Sequence, residues 1–230
     1  MKVSVLVPYR PDGGHRDRAW AWIEQRWRLA FGDEIELLVG GDDGGRNPGE
    51  FNHPLAINRL ASEASGDVFV IADADTAPDP VFIRRACSWV DEGIVVWALP
   101  TQYRKLTEAA TEEVFEHPPH TNLYGYETAW IGESVSWSGT VAVPRAGFEF
   151  VGGYDERFAF WGADDVCFAA SMATLWGPFA RLPGACYHFW HPAPIEETYG
   201  HWRHQKQYDL TMRYTDAWGD PEAMKKVRFG

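Results

Sequence analysis

The sequence predicts an α/β fold: one domain with a mostly parallel central sheet flanked by helices. Three observations carry the prediction. Strand-length runs such as Val68-Phe69-Val70-Ile71-Ala72 are apolar without interruption, the pattern of strands buried on both faces. Helical patterns of about three turns alternate with these runs, the rhythm of βαβ units with right-handed crossovers. Of 230 residues, 45% are hydrophobic and 23% charged, enough to bury one generous core and too apolar for a disordered chain.

The elements follow in order. Residues 3–7 read as a first strand, stopped by Pro8. A loop over 9–17 contains Gly13-Gly14. Residues 18–31 place Ala19, Trp22, Ile23, Arg26, Trp27 and Ala30 at helical spacing, and Gly32 closes that helix. A second strand over 35–39 runs into Gly40-Gly41-Asp42-Asp43-Gly44-Gly45. A helix is expected over 54–64, a third strand over 68–72, a helix over 80–91 and a fourth strand over 94–98. Beyond residue 100 the rhythm changes. Residues 107–115 suit a helix, 117–131 a loop, 136–143 a strand, and 144–150 a short helix with Pro144 at its first position. A helix over 164–175, a strand over 185–190 and a long helix over 196–214 complete the chain. There is no repeat, low-complexity linker or composition break, so residues 1–230 read as one domain.

Charge and cysteines narrow the function classes. With 21 basic and 33 acidic residues the formal charge is −12. That argues against generic nucleic-acid binding, which needs clustered Lys and Arg, although Arg16, Arg18, Arg26 and Arg28 could form a local patch. Cys87, Cys167 and Cys186 are odd in number and form no CxxC pair, so free thiols in a reducing, cytoplasmic setting are expected. No apolar run approaches the ~20 residues of a membrane span. The apolar start is broken by Pro8, Arg10 and Asp12, unlike a secretory leader.

Chemistry concentrates at strand ends. The third strand runs directly into Asp73-Ala74-Asp75. In open α/β sheets, ligands bind outside the carboxyl ends of strands. Two carboxylates at i and i+2 there repel unless a cation neutralises them, and Mg²⁺ or Mn²⁺ commonly bridges a diphosphate to such oxygens. The competing reading is an acidic loop that caps the next helix. Asp42-Asp43 ends the second strand likewise; it suits a ribose hydroxyl or a base N–H, or is simply a polar turn.

Together these residues resemble a known family. Residues 3–9, Asp42-Asp43-Gly44, residues 55–67, Asp73-Ala74-Asp75 and Gly152-Gly153-Tyr154-Asp155 resemble, in order, the motifs of family 2 glycosyltransferases and their nucleotide-diphospho-sugar (GT-A type) fold, over roughly residues 1–190. Ser138-Gly139-Thr140, Pro144-Arg145, residues 151–158 and Trp161-Gly162-Ala163-Asp164-Asp165 are similar to the segment of galactosyltransferase-like and chondroitin-polymerase-like enzymes that ends in an acidic pair. The resemblance implies a nucleotide-sugar half over about 1–100 and an acceptor and catalytic half over about 101–230. It implies a uridine-linked donor lined by Pro8, Tyr9, Arg10, Asp42, Asp43, Asn58, Asp73 and Ala74. Asp75, Asp73 and His188 would hold Mn²⁺ or Mg²⁺, with His191 the second choice of histidine. Asp165 would be the general base of an inverting transfer, and Asp164 would orient the acceptor hydroxyl. An inverting transfer needs such a carboxylate to take the acceptor proton. Asp164 and Asp165 also suit the N-terminus of a helix, where negative charge is favoured. One position departs from the pattern: Ile57 stands where relatives often carry Arg, leaving the diphosphate contact open among Arg10, Arg59 and Arg203.

Twelve tryptophans are many for this length. Aromatic faces stack on sugar rings, so Trp137, Trp161 and Trp190 are candidate platforms, with Gly139 and Asp164 beside them for the acceptor; Trp20, Trp22, Trp27 and Trp89 read as packing. His201 and His204 lie three apart without a third zinc ligand, and His117 and His120 flank Pro118-Pro119 in a loop. The acceptor expected is a glycan end. Alternatives are a hydroxylated base in DNA, a sugar-phosphate nucleotidylyltransferase, for which residues 8–14 are a poor match, and a carbohydrate-binding protein without catalysis.

Overall fold

The computed structural model describes residues 1–42, 51–159, 162–192 and 202–230, so Asp43, Trp161 and His201 lie outside the described residues. The strands are β1 (Val3–Pro8), β2 (Ile35–Gly40), β3 (Val68–Ala72), β4 (Thr76–Pro78), β5 (Trp97–Leu106), β6 (Thr128–Glu133), β7 (Thr140–Pro144) and β8 (Phe179–His188). The helices are α1 (His15–Phe31), α2 (His53–Glu63), α3 (Pro80–Asp91), α4 (Glu108–Phe115), α5 (Arg145–Phe150), α6 (Asp164–Ser171), α7 (Trp202–Ala217) and α8 (Pro221–Phe229). The expected helix over 164–175 changes character at Met172, where a wider π-turn runs to Trp176.

The strands form one sheet in the order β2-β1-β3-β7-β5-β8-β4, with β6 also on β5. It is mixed, which corrects the mostly parallel sheet expected. β1 is parallel to β2 and β3, and β5 to β8. The β3–β7, β5–β7, β5–β6 and β4–β8 pairs are antiparallel. The reason lies in the second half of the chain. β6 runs back along the end of β5, from Leu106 to Gln102. After a jog over 134–139, β7 touches β5 again at Ala98 and joins β3. Both are stretches of one return path, and a return path needs no helical crossover.

The first half does carry the βαβ rhythm. Val3, Val5 and Val7 of β1 and Val68, Val70 and Ala72 of β3 face a core built with α1, α3 and α4, containing Ile23, Trp27, Phe82 and Val114. The alternate residues Leu6, Phe69 and Ile71 face α2, α5 and α6, with Ile57, Phe148 and Phe168. Two-sided burial is why these strands are apolar at every position but Ser4. A third cluster, with Phe158, Tyr214 and Met224, fastens α7 and α8 to α6. The ends of β1, β3 and β8 open onto the same rim as the N-termini of α2 and α6.

Candidate active site

At the end of β3 the chain turns through Asp73-Ala74-Asp75. The Asp73 N–H donates to the Gly139 carbonyl (3.1 Å), tying this turn to the jog before β7. Ala74 is buried in the core. The Asp75 carbonyl accepts from the Phe189 N–H (2.9 Å), and Thr76 pairs with His188 across β4 and β8. This pairing sets Asp75 beside the end of β8. Its Oδ1 lies 3.8 Å from His188 Nε2 and its Oδ2 3.4 Å from His191 Nε2. Ligand atoms of the three residues lie within 4.8 Å of one another, and all three side chains are largely but not fully buried. Burial holds His188 below the ordinary histidine range, against the pull of Asp75, so its ring is neutral at pH 7, the form that ligates a metal. Arg16, in the first turn of α1, places Nε 3.5 Å from Asp75 Oδ2.

Asp73 faces a different partner. Its Oδ1 is 3.5 Å from Nε2 of His53, whose Nδ1 meets Asp164 Oδ2 at 2.7 Å. His53 is the first residue of α2, set there by Asn52, whose side chain caps the helix by accepting from the Leu55 N–H (2.9 Å). Burial alone would depress the His53 pKa, but the hydrogen bonds and charges of Asp164 and Asp73 carry it well above the ordinary value, so an imidazolium sits between two carboxylates.

Asp164 and Asp165 open α6 after Ala163, which has a left-handed backbone (φ 70°). The Asp164 side chain is buried, and the Asp165 residue is partly exposed. Asp165 Oδ1 is 3.3 Å from the Tyr154 hydroxyl. Burial, then the charges of Asp164 and Asp73, raise its pKa well above the carboxylate range, with His53 and Tyr154 opposing. A carboxylate so placed holds a proton more strongly than usual, which suits a general base. Tyr154 is itself fixed by stacking on Phe168, with centroids 4.2 Å apart.

The other expected site residues fall as follows. Asn58 on α2 braces the Gly-Gly-Tyr-Asp turn: its Oδ1 accepts from the Tyr154 N–H (2.8 Å), and its Nδ2 donates to the Tyr154 carbonyl (2.9 Å) and to Glu156 (3.0 Å). Asp42 is buried and accepts from the Asn52 N–H (2.7 Å). Pro8 ends β1 opposite Gly40, and the Tyr9 hydroxyl donates to Asp17 (2.6 Å). The Arg10 guanidinium lies over the Phe51 ring at 5.3 Å, and Arg59 pairs with Glu63 along α2. Trp137 packs on Phe179 and Trp218 under the Arg181 guanidinium, and Trp190 meets His15 edge-on. The side chains of Arg203 and His204 lie outside the described ones.

Sequence reasoning passed over His53, a lone histidine before Pro54 that looks like part of a helix start, and Arg16, weighed only as patch charge. The patch itself is internally paired: Arg18 bridges Glu112, Arg28 bridges Glu24, and Arg26 is buried against the carbonyls of Pro78, Pro119 and Thr121. Among the described residues, no helix is long and apolar enough to cross a membrane.

No family model and no curated protein matches the chain. Among solved structures, the fold is similar to that of GalNAc-T7 bound to UDP, GalNAc and Mn²⁺, with a TM-score of 0.57 and 13% identity over 99% of this chain and 54% of that one. The chain thus spans about half the length of that protein. At this identity the likeness shows a fold of the GT-A glycosyltransferase type and stops short of family 2 membership.

Proposed function

We propose that this chain transfers a sugar from a uridine-diphosphate donor to a hydroxyl of a glycan, with inversion, as the motifs shared with family 2 glycosyltransferases suggest. One observation carries the reading: Asp75, His188 and His191 converge two residues beyond Asp73, and Asp73 is joined through His53 to the Asp164-Asp165 pair. A cation-binding group and a proton-accepting group thus flank one strand end, where a donor diphosphate and an acceptor hydroxyl would meet. The likeness to a fold that binds UDP and Mn²⁺ supports the same assignment.

One carboxylate and two imidazoles within 4.8 Å make a plausible donor set for a divalent ion, and the two nitrogens favour Mn²⁺ over Mg²⁺. Bound there, such an ion would act as a Lewis acid on the leaving diphosphate. Asp73, two residues before Asp75, is left to hold the donor's ribose or sugar hydroxyls, with Asp42 on the nucleoside side and Arg10 and Arg16 assigned to the diphosphate. Asp165 takes the acceptor proton as the new C1–O bond forms and the C1–O bond to the diphosphate breaks with its electron pair. Asp164, fixed by His53, orients the acceptor hydroxyl, and Gly139 backs the turn that carries Asp73. The internal pairing of the arginine patch weighs against a DNA acceptor. Three buried free thiols fit a cytoplasmic, reducing setting.

The test follows release of UDP from a panel of UDP-sugars, with and without Mn²⁺, beside calorimetry of UDP binding. Asp75→Ala and His191→Ala should abolish Mn²⁺-assisted UDP binding. Asp165→Asn should keep it while transfer falls ~10²–10⁴-fold. Full transfer by Asp165→Asn, or UDP binding indifferent to Mn²⁺, would overturn the assignment.

A further inference from the structure

The face that carries His188 continues sideways to an aromatic surface that the site so far leaves unused. In register, Trp130 of β6 lies opposite Lys105 of β5, and Lys105 opposite His188 of β8. The neighbouring row is Gly132, Tyr103 and Cys186. Residues two apart on a strand share a face. Ring contacts agree: the Tyr103 ring lies 5.9 Å from His188 and 6.2 Å from Trp130. The metal-side histidine, a tyrosine and a tryptophan therefore form one continuous row.

Trp130 is held in an unusual way. Its indole lies down across Gly132, and a Cβ on that glycine would stand 2.1 Å from Cη2 and 2.6 Å from Cζ3 of the ring. Gly132 is buried beneath it, yet Trp130 stays 46% exposed. The far edge of the ring thus overhangs the strand, while much of the indole stays open to solvent. The exposed Lys105 places its ammonium 5.8 Å from the ring centre. An exposed indole with an ammonium near it matches the two sides of a pyranose, whose C–H face stacks on aromatics while its hydroxyls reach outward. Two strand spacings separate Trp130 from His188, about 9.5 Å, which is wider than one sugar ring.

We propose that Trp130, seated on Gly132 and flanked by Lys105, is a saccharide subsite that binds the penultimate ring of an oligosaccharide acceptor, with the accepting ring on the His188 side of it. The inference rests on the transferase reading and gives its acceptor class: a chain of at least two sugars rather than a free monosaccharide. Lys105 donates to a hydroxyl at the edge of the stacked ring.

The binding measurement needs neither donor nor metal. The full chain is labelled with 5-fluorotryptophan, and the Trp130 resonance is assigned with Trp130→Phe. Lactose, cellobiose and diacetylchitobiose are then titrated to millimolar concentrations, the range of a single weak sugar contact. The expected result is a shift of the Trp130 signal with at least one disaccharide, weakened more than tenfold in Gly132→Val, which evicts the ring from its seat. The matching kinetic result, with donor and Mn²⁺ present, is a KM for that disaccharide raised at least tenfold by Trp130→Ala. No shift with any of the three sugars, a shift of equal strength in Gly132→Val, or an unchanged KM in Trp130→Ala overturns the subsite. UDP binding with Mn²⁺, measured on the same samples, tests the transferase reading separately. A sugar-responsive Trp130 in a protein that ignores UDP would leave the subsite standing and remove the reaction.

Discussion

Replacing His53 by glutamine tests the imidazolium that joins the two halves of the site. The bond from Nδ1 to Asp164 is short (2.7 Å) and charge-assisted, the class worth about 1.5–3 kcal/mol. The second contact, to Asp73, is long at 3.5 Å with both side chains 26% exposed, and adds a further ~0.5 kcal/mol. Glutamine can give one neutral hydrogen bond back, about 1 kcal/mol, and the N-terminus of α6 still favours Asp164. The net loss is about 2 kcal/mol, or about 4–8 °C in Tm for a chain of this size. Its pH dependence has a definite sign. The His53 pKa is raised on folding, so the stabilisation is complete below its ordinary value of 6.5 and fades as pH climbs through the native value. Wild type and His53→Gln, melted in EDTA by circular dichroism, should therefore differ most near pH 6 and converge in alkali. A gap that holds constant up to about pH 10, where an ordinary or even strongly raised histidine has lost its proton, or no gap near pH 6, would refute a charged His53.

Two other substitutions read different parts of the same frame. Gly153 has φ +70°, and an added Cβ would stand 2.4 Å from Asn58 Oδ1. Gly153→Ala combines left-handed strain of about 1–2 kcal/mol with disturbance of the Asn58 hydrogen bonds, so urea unfolding should show a loss of about 3 kcal/mol; a loss under about 1 kcal/mol would mean that Asn58 moves aside freely. Arg16 competes with any cation for Asp75, and the exposed pair is worth at most about 1 kcal/mol. Arg16→Ala should tighten Mn²⁺ binding to the nucleotide-free protein by up to about fivefold while weakening UDP binding; calorimetry showing weaker Mn²⁺ binding would assign Arg16 a supporting role at the ion instead.

What the sequence revealed depended on the kind of signal. Val68-Phe69-Val70-Ile71-Ala72 is apolar because both faces of β3 are covered, so strand and position were plain. Direction was not: an apolar run reads the same whichever way its neighbour points, and nothing in residues 140–144 announces that β7 runs against β3. β5 was placed too early because Ile94 belongs to an exposed turn and Pro100 interrupts the strand pattern. β6 carries no strand signal in the sequence, because Trp130 and Ile131 are both exposed, which breaks the alternation of a half-buried strand. The acidic pairs stood out as motifs, but their partners did not. Only the fold brings His53 to Asp164, 111 residues later, and sets Asn58 against the backbone of Tyr154.

The last helix reaches back to the centre of all this. Arg228 of α8 donates to the carbonyls of Val151, Gly152, Gly153 and Tyr154, and its Nη1 lies 3.8 Å from Asp155, which also accepts from Tyr214 and Arg157. Tyr154 in turn touches Asp165. The basicity of that carboxylate is thus tethered to a side chain of α8, far from it in sequence. Fraying of α8 would loosen the tyrosine before it disturbed any strand.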